Sequence, residues 1–158
     1  MSEIRPIMNH ADAPTKTGGN GDKFAFTQCR IGPLIGLQKL GCSLYIVPAG
    51  RVAFPYHAHS IMEEMCVILE GTGKLRQEGQ EYPIRAGDVI ASQVGKAHQI
   101  INNSAEDLRY LVVSNNEPVD VVLYPDSDKI GAISSAFGKT LWHFTRRDAA
   151  TGYYDGES

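Results

Sequence analysis

The feature that most constrains this chain is a succession of short apolar or alternating runs: FAFTQCRI from Phe24, CSLYIVP from Cys42, MCVIL from Met65, KLRQEGQEYPI from Lys74, DVIASQV from Asp88, HQIIN from His98, LRYLVVS from Leu108 and VDVVLYP from Val119. Each has the length and composition of a strand. Turn formers separate them: Gly32-Pro33, Pro48-Ala49-Gly50, Glu70-Gly71-Thr72-Gly73, Glu78-Gly79, Ala86-Gly87-Asp88 and Asn102-Asn103-Ser104. No long stretch between them keeps a helical period. Short strands at even spacing bury their apolar faces only by packing sheet on sheet, so an all-β antiparallel sandwich or barrel is expected.

At 158 residues the chain is the size of one domain. The fold is expected over residues 23–125. Residues 1–22 include NHADAPTKTGGNGD, which is rich in Gly, Asn and Asp and reads as a flexible N-terminal arm. Residues 126–158 read as a C-terminal extension, a short helix, a strand or an irregular tail, packed by Trp142 and Phe144 on the barrel or on a dimer partner. A homodimer is the expected state, with FAF at Phe24 and TLWHF at Trp142 as the candidate interface strands. Cations are scattered singly, with only Arg146 and Arg147 adjacent, so no basic stripe is available to follow a nucleic-acid backbone. Neither a nucleic-acid nor a membrane partner is expected, because no run approaches the ~18 apolar residues of a spanning helix. Three cysteines, Cys29, Cys42 and Cys66, are too few for a disulfide framework, and the N-terminal residues have no apolar signal core. The expected location is the cytoplasm.

Chemistry concentrates in GRVAFPYHAHSIMEEMCVILEG, from Gly50 to Gly71. His57 and His59 are two apart, so on a strand both imidazoles face one side. A carboxylate follows at Glu63 or Glu64, and His98 opens a later alternating strand. Three of the chain's five histidines fall in this set, while His10 and His143 stand apart as ordinary polar residues. Imidazole and carboxylate at strand ends are the donors of a divalent metal site.

The segment resembles the first motif of the cupin family, in which a glycine precedes a His-x-His pair and a glutamate and a glycine follow. The segment from Gly87 is similar to the second motif: Gly87, Gln93 where the family usually has proline, Gly95, His98 and Asn102. The run between the motifs, with hairpins at Gly71 and Glu78-Gly79, also resembles the family. The first motif has six residues rather than five between Gly50 and His57. The resemblance implies a double-stranded β-helix, or jelly-roll barrel, with His57, His59, Glu64 and His98 on one metal ion. The six residues from Glu64 to Gly71 favour it over Glu63. Gly50, Gly71, Gly87, Gly95 and Asn102 take structural roles in turns and strand ends. Glu63, Cys66 and Gln93 are candidate pocket residues, Cys66 either as barrel filling or as a group near the metal.

Three neutral imidazoles and one carboxylate leave a divalent ion with a net charge of about +1 and, if octahedral, two open positions. The set suits Fe, Mn, Ni, Co, Cu or Zn, and it favours a small oxygen-rich ligand. Chains with a PYHAHSIMEE-like pattern resemble cupins described as sugar-phosphate isomerases, which implies a metal that chelates adjacent oxygens and eases proton loss beside a carbonyl. Arg51, Lys74, Arg76 and Arg85 are the cations able to meet a phosphate, or else solvated strand-edge charges. The alternatives are an iron-dependent dioxygenase and a non-catalytic small-molecule sensor. No helix-turn-helix accompanies the barrel.

Overall fold

The structure is a computed structural model and describes residues 6–136, 138–149 and 151–157. The described residues form thirteen strands, the apolar and alternating runs among them: β1 (Lys16–Asn20), β2 (Phe24–Arg30), β3 (Leu40–Val47), β4 (Ala58–His59), β5 (Glu64–Glu70), β6 (Thr72–Gln77), β7 (Gln80–Arg85), β8 (Val89–Ser92), β9 (His98–Ile101), β10 (Leu108–Asn115), β11 (Val119–Tyr124), β12 (Lys129–Ser134) and β13 (Leu141–Arg146). One four-residue helix, α1 (Ile31–Leu34), follows β2. No helix among the described residues is long and apolar enough to cross a membrane.

Strands pair in the orders β1-β2-β3-β10-β5-β8, β13-β12-β11-β4 and β7-β6-β9, all antiparallel. Strand β10 lies between β3 and β5, so the chain crosses from sheet to sheet as a double-stranded β-helix does. The two smaller sheets meet at a bridge between His57 and His98, whose backbones exchange hydrogen bonds of 3.2 and 2.8 Å. The core fills the space between these layers. Val47, Cys66, Ile68, Ile90, Leu108 and Tyr110 come from the six-stranded sheet, and Leu75, Ile84 and Ile100 come from the opposite wall. Along β5 the period of two is explicit: Cys66 and Ile68 are buried, whereas Met65 and Leu69 face outward.

Order begins before the expected boundary at Lys23. Strand β1 pairs with β2 from Lys16↔Gln28 to Asn20↔Phe24, and Ala13 is buried with Cys29 and Leu44. The Gly-rich run KTGGN hid this strand. It joins the sheet through its backbone, and a Cβ at Gly18 would stand 2.4 Å from the Phe26 ring, so no alternation of side chains marks it. The expected boundary after Pro125 cuts the β11–β12 hairpin, since β12 and β13 extend the sheet of β11 as two strands.

Gly71 is the tightest of the motif glycines. Its φ is +83° and an added Cβ would lie 2.4 Å from the Asp107 carbonyl, so the turn from β5 to β6 admits no side chain there. Asn102 donates from Nδ2 to the carbonyls of Val47 and Glu106 at 2.8 and 2.7 Å, tying the end of β9 to the end of β3.

Candidate metal centre

The bridge between His57 and His98 sets those residues opposite one another, His59 ends β4, and Glu64 opens β5. The ring centroids of His57 lie 4.6 Å from His98 and 4.9 Å from His59, and those of His59 and His98 are 6.2 Å apart. Behind each ring stands an acceptor. His57 Nδ1 is 2.7 Å from the Pro55 carbonyl, His98 Nδ1 is 3.2 Å from the Lys96 carbonyl, and His59 Nδ1 is 2.5 Å from Asp120 Oδ2. A carbonyl or carboxylate cannot donate, so each Nδ1 carries the proton and each Nε2 presents a lone pair. Burial, aided by the neighbouring His98 and His59, pushes His57 down to about 4, which keeps it a neutral donor at pH 7.

Glu64 completes the cluster. One carboxylate oxygen is 3.2 Å from His98 Nε2 and the other 3.9 Å from His59 Nε2. Burial works to raise this carboxyl, but without a metal a proton on His98 Nε2, donated to Glu64, and charge on the surrounding imidazoles outweigh it and hold Glu64 below the ordinary carboxylate range. Ligand atoms of His57, Glu64 and His98 all lie within 4.8 Å of one another. Two ligands each ~2.1 Å from an ion and at right angles lie ~3 Å apart. A lone pair facing a carboxylate oxygen at 3.2 Å repels it unless a proton or a metal ion lies between. The donor set therefore fits a divalent ion on His57, Glu64 and His98, and His59 Nε2 stands beside the same carboxylate as a fourth donor.

Asp120, on β11, is the functional residue that motif spacing missed. It is 2% exposed, and while Oδ2 takes the His59 proton, Oδ1 accepts from the Ser60 and Ile61 amides at 3.1 and 3.0 Å and from Ser60 Oγ at 3.0 Å. This carboxylate fixes both the orientation and the tautomer of His59. The signal was present: Asp120 shares the inward phase of VDVVLY with Val122 and Tyr124, where a charge is out of place.

The cluster opens into a cavity of about 320 Å³. Tyr45, Phe54, Tyr110, Tyr124 and Trp142 form its aromatic wall. Gln28 Nε2 donates to the Tyr45 hydroxyl at 2.5 Å, and burial, with the Glu64 charge, pushes that phenol up to about 12. Cys66 lines the cavity as well as the core, and burial pushes its thiol up to about 12. The other two candidate pocket residues do not reach it. Glu63 is exposed, because it lies one residue out of phase with Glu64, and Gln93 is exposed in the turn after β8. None of the four candidate phosphate cations lines the cavity: Lys74 pairs with Glu81, Arg76 with Asp126 and Arg51 with Asp22, while Arg85 is exposed at the end of β7.

A double-stranded β-helix with three imidazoles and a carboxylate at one point of its interior defines a cupin-type barrel. Residues 43–114 match the family described as cupin domain. Two crystal structures share the barrel. A sugar phosphate isomerase of the cupin superfamily from Silicibacter pomeroyi superposes with a TM-score of 0.82 at 23% identity, covering 95% of this chain and 98% of that one. A candidate sugar phosphate isomerase from Acidithiobacillus ferrooxidans gives 0.73 at 28% identity, over 81% and 80%. Among curated proteins, auxin-binding protein 1 of Arabidopsis thaliana is 36% identical over 81 residues, 46% of this chain and 40% of that protein. The oxalate-binding protein of Thermotoga maritima is 39% identical over 57 residues, 36% of this chain and 47% of that protein. The chain thus spans less than half the length of the curated relatives it matches.

Proposed function

We propose that this cupin-type barrel is a metal-dependent isomerase of a small substrate that presents two adjacent oxygens, the class of chemistry for which the Silicibacter and Acidithiobacillus proteins are described with sugar phosphates. One observation carries the reading: ligand atoms of His57, Glu64 and His98 lie within 4.8 Å of one another, with His59 Nε2 3.9 Å from the same carboxylate, at the wall of a cavity large enough for a small molecule. His57, His59, Glu64 and His98 would hold a divalent ion of the Fe, Mn, Ni, Co, Cu or Zn group, which would polarise a substrate carbonyl and ease loss of the neighbouring proton. The chain's own residues do the rest. Asp120 keeps His59 Nε2 unprotonated, the aromatic wall excludes water, and Tyr45 keeps its proton at neutral pH, so its hydroxyl can donate to a substrate oxygen. The three cysteines, all thiols, support a cytoplasmic setting, and the apolar edge at Trp142 and Phe144 supports a homodimer.

A second reading, binding without turnover, is favoured by a specific feature. The non-ligand titratable groups on the cavity wall, Tyr45, Cys66, Tyr110 and Tyr124, are all pushed up by burial, so none is a base at pH 7. Solvent deuterium exchange decides between the two. Protein loaded with Mn, Zn or Fe and incubated in D2O with a panel of hydroxy-aldehydes, hydroxy-ketones and 2-oxo acids is expected to wash deuterium into the carbon beside the carbonyl. Metal binding without exchange on any member would leave the binding reading and remove the isomerase.

A further inference from the structure

The cavity wall has a chemistry that the metal cluster does not explain. Among the described residues its only charged side chain outside the imidazoles is Glu64, and no described lysine or arginine lines it. Lys129 holds its ammonium 5.5 Å from the Tyr124 ring centroid without lining the cavity. A phosphate dianion entering such a space would lose its hydration and gain no cation except the metal, which disfavours it. By contrast the aromatic surfaces are arranged for a flat apolar body. Tyr45 and Tyr110 stack at 5.6 Å, Phe54 meets Tyr45 edge-on at 5.1 Å, and Tyr124 lies nearly parallel to the His57 ring at 6.2 Å. Trp142, on the edge strand, is 63% exposed although it lines the cavity, so it forms the rim and retains free apolar surface.

We infer that the ligand of this site is a 3-aryl-2-oxo acid: a carboxylate and adjacent carbonyl oxygen for the metal, joined through one methylene to an aromatic ring that packs against the aromatic wall and Trp142. The inference rests on the metal-centred reading above and deepens it. Each half of the molecule answers one half of the site. A cluster that leaves the ion near +1 takes an anionic chelate, and a wall of tyrosine, phenylalanine and tryptophan takes a ring. Such an acid also carries its labile hydrogens on the carbon beside the carbonyl, where an isomerase would act.

Trp142 is the chain's single tryptophan, so its emission reports occupancy of the rim without a label. The experiment titrates the zinc-loaded full chain with phenylpyruvate, pyruvate and fructose 6-phosphate, reading heat by calorimetry and Trp142 emission. Phenylpyruvate is expected to bind at least tenfold more tightly than pyruvate and than the sugar phosphate, and to change the emission. The metal-free chain should lose at least tenfold in phenylpyruvate affinity. Trp142→Ala should weaken phenylpyruvate several-fold and by a larger factor than it weakens pyruvate, and leave zinc affinity unchanged. Because Trp142 is exposed on an edge strand, this variant keeps the core intact, and thermal melting checks that it does. Fructose 6-phosphate binding as tightly as phenylpyruvate, or equal affinities for phenylpyruvate and pyruvate, would overturn the inference while the metal-dependent reading stands. Failure of the chain to bind zinc, manganese or iron would overturn both.

Discussion

Asp120→Asn isolates the contribution of the residue behind His59. The amide is nearly the same size as the carboxylate, and its oxygen can still accept from the Ser60 and Ile61 amides, now 3.1 and 3.0 Å from Oδ1. Its nitrogen then faces His59 Nδ1 and offers protons where the carboxylate offered lone pairs. His59 answers by moving its proton to Nε2, which points it at Glu64, 3.9 Å away, and removes one donor from the metal. Loss of such an outer partner weakens metal binding by about 10–100-fold, or ~1.4–2.8 kcal/mol. The apo fold should change by only ~1 kcal/mol, because the buried amides stay satisfied. Asp120→Ala is different: it strands two amide donors at ~1–3 kcal/mol each and should lower the apo melting temperature strongly.

The assay is zinc or manganese affinity by competition with a chromophoric chelator, beside the apo melting curve. A double-mutant cycle sharpens it. If Asp120 acts through His59, then Asp120→Asn adds little to the loss already caused by His59→Ala. Wild-type metal affinity in Asp120→Asn, or fully additive losses in the double variant, would refute the reasoning.

The remaining expectations are brief. Glu64→Gln should cost metal affinity a hundredfold or more, whereas Glu63→Gln, on the exposed phase, should change it less than twofold; equal losses would return the choice of carboxylate to the open. Tyr45 has a folded value near 12 against an ordinary 10, so its contribution is fully present below pH 10 and is lost as pH rises from 10 through 12, a few kcal/mol in all. Melting of wild type and Tyr45→Phe across that range should show a shallower alkaline decline in the variant. Gly71→Ala, with a Cβ 2.4 Å from the Asp107 carbonyl at positive φ, should destabilise the fold by more than ~1 kcal/mol in urea unfolding. Iodoacetamide on the native chain should label Cys42 and spare Cys29 and Cys66, which are 2% and 3% exposed and whose thiols burial pushes up; rapid labelling of Cys66 would show the cavity floor to be open.

The parts of this molecule that were legible in its sequence are those where a local rule and the fold agree. Alternation marked β5, β8, β10 and β11 because each buries one face, and His57, His59 and His98 stood out because three imidazoles at strand ends have no packing role to fill. Strand β1 was illegible because its pairing is made by backbone alone, and glycine carries no face to alternate. The aromatic wall was illegible for another reason. Tyr45, Tyr110 and Trp142 are separated by 65 and 32 residues of chain and meet only when β3, β10 and β13 are folded, so no spacing connects them. Asp120 lies between these cases. Its inward phase on an apolar strand announces a buried charge, and a buried charge demands a partner, yet nothing local says that the partner is His59, 61 residues earlier. Motif spacing pointed to the imidazoles and the carboxylate that the structure brings together, because two short chain segments carry them. What orients those donors and what lines the cavity beside them come from distant strands, so neither could be read from a local spacing.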